Sequence, residues 1–347
     1  MHGGDIYNNR VDHDFSVNLN PYQDDEVLKR IKEAYTIGVN AGKRYPDIDQ
    51  KSLRRALSEY EGVDPECIFA GSGASQLLMA AVAAIGPKCA LLTEPSFSGY
   101  RYVLSANGGC RIKQHFLKEE DGFELTPDVP ECLTDDVDVM FLTDPNNPTG
   151  RNIDEQLLHR ILDKASDNNT AVVLDESFYT ISEGYGPGRS ARLIAEYPGL
   201  FIIRSFTKSF ALPGIRMGYV LSSSGGTEKI RKHLPEWNLP SLSEEVMKEC
   251  AKILQDDVFY DRSMDLIGKE RDFLGRELTG LGFTVFDSDT LFLLIKGREG
   301  IYEKLLAEGV LIRKCDDFEG LDGHFYRIAV KDHEENVHLV ETLKQTL

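Results

Sequence analysis

Between about residues 50 and 225, short apolar runs alternate with helix-period stretches, and this alternation constrains the fold more than any other feature of the chain. The runs at 68–70, 89–92, 137–142, 171–174, 200–204 and 218–221 are brief and almost wholly apolar, as strands buried on both faces must be. Helix patterns at 76–84, 154–165 and 191–197 separate them. Repeated strand-then-helix order predicts a mostly parallel sheet covered by helices on both sides, because parallel neighbours need crossover connections. After residue 243 the texture changes. One long helical stretch from 244 to 276 precedes strand patterns at 284–286, 291–295, 310–313 and 326–330, with a helix at 300–308. That order predicts a smaller α+β domain. The first forty residues are polar and irregular, up to a helix at about 25–35. The expected division is an N-terminal segment 1–40 joining the small domain and the active site, a large domain 41–242, and a small C-terminal domain 243–347.

Composition excludes several function classes. A net charge of -18 argues against a nucleic-acid partner or an anionic membrane surface. The six cysteines form no C-x-x-C pair and read as reduced thiols of a cytoplasmic protein. No apolar run reaches membrane-spanning length, the start Met1-His2-Gly3-Gly4-Asp5 is no signal peptide, and no metal ligand set is assigned.

Chemistry concentrates where strand patterns end. Lys208 follows the apolar run 200–204 and sits in Ser205-Phe206-Thr207-Lys208, with Arg216 eight residues on. One amine, two hydroxyls and a guanidinium suit an aldehyde cofactor that carries a phosphate. The amine forms a Schiff base, and the guanidinium offers a planar fork of donors. That cofactor is pyridoxal 5'-phosphate (PLP). Four further segments fit it. Gly71-Ser72-Gly73-Ala74-Ser75 opens a helix, where free backbone N–H groups make an anion site. Asn147, in Asn147-Pro148-Thr149-Gly150, offers a donor to the ring oxygen. Asp175, ending an apolar strand, needs a partner if buried, and a protonated pyridine nitrogen supplies one. Phe97, after the run 89–92, offers a face to a flat ring. Each has a plainer structural reading alone, as a turn, a helix cap or a core ring.

In that order and spacing the set resembles the fold type I PLP enzymes of the aminotransferase class I/II family, over essentially the whole chain. The resemblance implies a large domain with a seven-stranded type of sheet and a smaller C-terminal domain. It also implies roles. Lys208 carries PLP and moves protons. Asp175 pairs with the pyridine nitrogen, and Asn147 bonds the ring oxygen. Gly73, Ala74, Ser75, Ser205, Thr207 and Arg216 hold the phosphate. Family members are usually homodimers, and Tyr45, in Arg44-Tyr45-Pro46, matches a tyrosine that reaches the partner's active site.

Within that family the chain is similar to two groups, the threonine-phosphate decarboxylases of cobalamin biosynthesis and the histidinol-phosphate aminotransferases. The His2-Gly3-Gly4 start, Phe15-Ser16-Val17-Asn18-Leu19-Asn20-Pro21 and Leu311-Ile312-Arg313-Lys314-Cys315 favour the first. By that resemblance Arg327 holds the substrate carboxylate, and Arg313, Asn18, His2 and Gly3 meet its phosphate. The implied reaction is decarboxylation of L-threonine O-3-phosphate to (R)-1-amino-2-propanol O-2-phosphate through an external aldimine. The alternative is transamination of histidinol phosphate or a related amino acid. Phe178 stands where transaminases of this group usually place a tyrosine. If the segment stays extended, Tyr179 points to the opposite face.

Overall fold

The computed structural model describes residues 3–186 and 188–347. Thirteen strands are present among them. A short β1 (His13–Asp14) precedes the seven strands of the main sheet: β2 (Ile68–Gly71), β3 (Cys89–Glu94), β4 (Arg111–Phe116), β5 (Val139–Thr143), β6 (Ala171–Glu176), β7 (Leu200–Arg204) and β8 (Gly218–Leu221). Their spatial order is β2-β8-β7-β6-β5-β3-β4. All neighbours run parallel except β8, which is antiparallel to both β2 and β7. The α/β expectation therefore holds, with one reversed strand.

Side chains along the central strands alternate between two cores, as a pleated strand dictates. Met140, Leu142, Val172, Leu174 and Ile202 pack on one face, while Phe141, Val173, Phe201 and Ile203 pack on the other. Chain order reverses between β3 and β5. One direction leads to β4, the other to β6 and β7. Ligands of open α/β sheets bind beyond the carboxyl ends of strands at such a switch.

The remaining strands are β9 (Thr284–Val285), β10 (Phe292–Lys296), β11 (Val310–Leu311), β12 (Arg313–Lys314) and β13 (Phe325–Ala329). They build a four-stranded sheet, β12-β13-β10-β9, while β11 pairs with β1. The N-terminal segment thus joins this part of the molecule. Phe15 lies in its core beside Ile295, Val310 and Ile328. Five residues on, Asn20 turns to the main sheet, where its N–H donates to the Lys208 carbonyl at 3.0 Å.

Several expectations need correction. The long helical stretch is two helices, Ser241–Ile253 and Asp257–Gly280. They break where the Asp256 side chain caps the second by accepting from the Val258 N–H. The strand expected at 310–313 is split between two sheets. The helix expected at 191–197 is a 3-10 turn, Ala191–Ala195. The first helix runs on to Ala41. No helix among the described residues is long and apolar enough to cross a membrane.

Candidate active site

A cavity of about 360 Å³ opens at the carboxyl ends of β3, β5, β6 and β7. Its lining includes Lys208, Asp175, Asn147, Phe97, Arg216 and Arg327, which are six of the sequence-predicted residues. Ala74, Ser75, Ser205, Thr207, Arg313, Asn18 and Gly3 also line it. Gly73 lies just behind. The expectation for His2 falls outside the described residues. Tyr45 does not line this cavity. It is 81% exposed, and its ring lies 4.9 Å from that of Trp237.

Among the described residues the cavity wall carries four cations, Lys208, Arg216, Arg313 and Arg327, against one carboxylate, Asp175. In a chain with a net charge of -18, this local excess of positive charge marks a site for anions. Burial, then Arg327 and Arg216, lower the Lys208 amine to about 8, with Asp175 acting in the opposite direction. Its Nζ lies 5.6 Å from the centre of the Phe178 ring.

One end of the cavity is a cradle. Gly73 adopts φ +83° and leaves the helix Ala74–Ile85 without a side-chain cap, so the first backbone N–H groups stay open. A Cβ on Gly73 would stand 2.5 Å from Nη2 of Arg216. Only glycine lets that guanidinium lie against the helix start. Thr207 and Ser205 share this end, and Ser205 Oγ also reaches the Met217 carbonyl at 2.7 Å. Such a cradle suits a phosphate.

The middle is shaped by Asp175, 4% exposed. Its Oδ1 accepts from the Ser177 N–H at 3.0 Å and from Ser177 Oγ at 2.5 Å, and Oδ2 accepts from the Tyr100 hydroxyl at 3.0 Å. Burial raises the carboxyl's pKa, and these donors pull it back. Asn147 accepts at Oδ1 from Nη1 of Arg327 at 2.5 Å. That bond commits the amide oxygen and leaves its NH₂ as the free end.

The far end holds Arg327 and Arg313. Arg327 is 7% exposed and donates from Nη2 to the Ser16 carbonyl at 2.8 Å. Among the described residues its Nε has no hydrogen-bond partner, nor does Oδ1 of Asn18. No carboxylate pairs with Arg327 among the described residues, and burial lowers its pKa to about 10. Arg313 is paired with Asp317 at 2.6 Å. A Cβ on Gly3 would stand 2.4 Å from the Ser16 carbonyl, so glycine alone fits there.

The segment after Asp175 is not extended. β6 ends at Glu176, and the chain turns into Tyr179–Ile181. Phe178 faces the cavity. Tyr179 donates to the Gly186 carbonyl at 2.9 Å, with the Arg204 guanidinium 4.4 Å over its ring. A turn, rather than strand alternation, keeps the Tyr179 hydroxyl away. Sequence reasoning missed Tyr100, Ser177 and Asp317. Ser177, two residues after Asp175, was the one with a local signal.

The profile of the aminotransferase class I and II family matches residues 12–343. The chain belongs to that family. It is 32% identical to the threonine-phosphate decarboxylase of Salmonella typhimurium over 96% of this chain and 91% of that one. It is 31% identical to histidinol-phosphate aminotransferase 2 of Archaeoglobus fulgidus over 95% and 92%. The crystal structure of the histidinol-phosphate aminotransferase from Clostridium acetobutylicum superposes with a TM-score of 0.85. It is 29% identical, with 95% of this chain and 98% of that one covered. The cofactor is PLP. The cavity fits it, with an uncapped helix start beside Arg216 for a phosphate, a buried carboxylate for a ring nitrogen, and an amine lowered toward its neutral form.

Proposed function

We propose that this protein is a PLP-dependent decarboxylase of L-threonine O-3-phosphate, releasing CO₂ and (R)-1-amino-2-propanol O-2-phosphate. The observation that carries the reading is the uncompensated charge of Arg327 in the cavity wall. Once Arg216 serves the cofactor phosphate, Arg327 remains with no carboxylate paired to it among the described residues, and Arg313, held by Asp317, stands in the same wall. Threonine phosphate presents a carboxylate and a phosphate in one molecule, whereas histidinol phosphate presents a phosphate alone and would leave Arg327 to a second, carboxylated substrate such as 2-oxoglutarate. Phe178, which brings no hydroxyl to the ring oxygen, supports the same choice.

Bound PLP supplies an electron sink for the bond broken at the substrate's α-carbon. The Ala74 and Ser75 N–H groups, with Ser75, Ser205, Thr207 and Arg216, hold its phosphate. Asp175 keeps the pyridine nitrogen protonated, Asn147 donates to the ring oxygen, and Phe97 covers a ring face. Arg327 grips the carboxylate, and Arg313, Asn18 and Gly3 take the substrate phosphate. This two-point grip would orient the substrate's α-carbon, and that orientation selects the bond that breaks. Lys208, as attachment point and proton carrier, returns a proton to the α-carbon after CO₂ departs.

We assign residues 41–242 to the cofactor domain, 243–347 to the small domain and 1–40 to the segment between them. We also infer a homodimer in which Tyr45 reaches the partner's site. Support comes from the exposed Tyr45–Trp237 pair and from Ile37 and Val39, each 56% exposed on the first helix.

The test is a paired assay. L-Threonine O-3-phosphate alone should yield CO₂ with no keto acid present. Glutamate formed from 2-oxoglutarate and histidinol phosphate, without CO₂ in the first arm, would establish the aminotransferase reading instead.

A further inference from the structure

Asp175 has four lone-pair positions, and the fold fills three of them. Ser177 takes two on Oδ1 through its N–H and hydroxyl, and Tyr100 takes one on Oδ2. Among the described residues nothing takes the remaining position on Oδ2. Tyr100 reaches Asp175 from a different layer of the molecule. It sits on the helix Gly99–Ala106, its ring stacked on Phe141 with centroids 5.0 Å apart. Thr143 and Asp175 are register partners on β5 and β6, so their side chains leave the sheet on the same side as Phe141. The Tyr100 hydroxyl lies between them, 2.7 Å from Thr143 Oγ1 and 3.0 Å from Asp175 Oδ2.

An ionised carboxylate only accepts hydrogen bonds. The Tyr100 hydroxyl hydrogen is therefore committed to Asp175, and the hydrogen between the two hydroxyls must come from Thr143. The result is a one-way chain of donors, from Thr143 to Tyr100 to Asp175. Burial, foremost, and the Asp175 charge raise the Tyr100 phenol well above its ordinary value, so it stays a donor throughout the working pH range.

We infer that Tyr100 is a positioning residue that fixes the Asp175 carboxylate, with Thr143 orienting the Tyr100 hydroxyl, so that the one lone pair left on Oδ2 faces the cofactor's pyridine nitrogen and holds its proton there. This rests on the pairing of Asp175 with that nitrogen under the proposed function. Without the Tyr100 donor, the carboxylate charge is less dispersed and the carboxylate is more basic. The shared proton then moves from the nitrogen toward Asp175, and the ring becomes a weaker electron sink.

The test loads the full-length protein with PLP labelled with ¹⁵N at the pyridine nitrogen and reads that resonance by NMR. In the unmodified protein it should lie at the protonated position. In Tyr100→Phe, which keeps the ring on Phe141, it should move toward the unprotonated position, with kcat falling about tenfold or more and KM changing less. Thr143→Val should move it in the same direction by a smaller amount, and Thr143→Ser, which restores the hydroxyl, should move it back. A resonance at the protonated position in both Tyr100→Phe and Thr143→Val, with the cofactor bound, overturns the inference. If Tyr100→Phe does not fold, Thr143→Val against Thr143→Ser decides alone, and equal resonances in those two overturn it. An unprotonated resonance in the unmodified protein overturns the Asp175 pairing itself, and the inference with it.

Discussion

Arg204 and Arg327 are both almost fully buried, and their surroundings differ completely. Arg204 is 1% exposed. Its Nε donates to Glu176 at 2.6 Å, Nη1 to Glu61, and Nη2 to Ser190 Oγ at 2.6 Å. Burial works against its charge, but Glu176 and Glu61 outweigh that and push its pKa up. Arg327 is 7% exposed, and among the described residues its hydrogen bonds go only to an amide oxygen and a backbone carbonyl, so burial wins and its pKa falls to about 10. A buried cation with its counter-charges in place belongs to the scaffold. A buried cation without them destabilises the fold until an anion arrives, and its presence in a cavity wall is an argument for that anion. The Arg204 cluster lies under the same strand ends that carry Asp175, so the scaffold's charges are closed off directly behind a site whose charges are left open.

The contrast breaks first on stability. Arg204→Leu leaves Glu61 and Glu176 buried without a cation and should lower the unfolding free energy of the apoprotein by about 3–5 kcal/mol. Arg327→Leu, read in the same urea titration, should leave it unchanged or raised. Equal losses in the two variants would mean that Arg327 is scaffold as well. A smaller effect concerns Lys208. Only the neutral amine attacks an aldehyde. With its value near 8, PLP uptake by the apoprotein should quicken about tenfold per unit as pH rises toward 8 and level off above it. Uptake still accelerating between pH 9 and 10 would indicate an ordinary lysine.

The sequence made the buried parts of this molecule legible and the crossings between them obscure. Strands β5, β6 and β7 could be read because both faces of each are covered, which leaves nearly unbroken apolar runs. Edge strand β4, Arg-Ile-Lys-Gln-His-Phe, faces solvent along much of its length and so gave no such run. Lys208, Asp175 and Asn147 sit at ends of legible strands, and the family spacing supplied the rest of their pattern. Tyr100 could not be found that way. Its hydroxyl matters only because a helix lays it across Thr143 and Asp175, a pairing 75 residues away along the chain. The bond between Arg327 and Asn147 spans 180 residues, and no local pattern encodes it. The two glutamates around Arg204 carry no local signal of their burial, because their pairing exists only once Glu61 folds under β7.

Under the proposed function, Arg327 has no carboxylate paired to it among the described residues because it takes the substrate's own. The most direct test compares two ligands in a Lys208→Ala background, which prevents turnover. L-Threonine O-3-phosphate and its product, which lacks only the carboxylate, are titrated calorimetrically with and without Arg327→Gln. Arg327 should make the carboxylated ligand the tighter binder by about tenfold or more, and Arg327→Gln should erase that preference while leaving product affinity nearly unchanged. A preference that survives Arg327→Gln would contradict the claim.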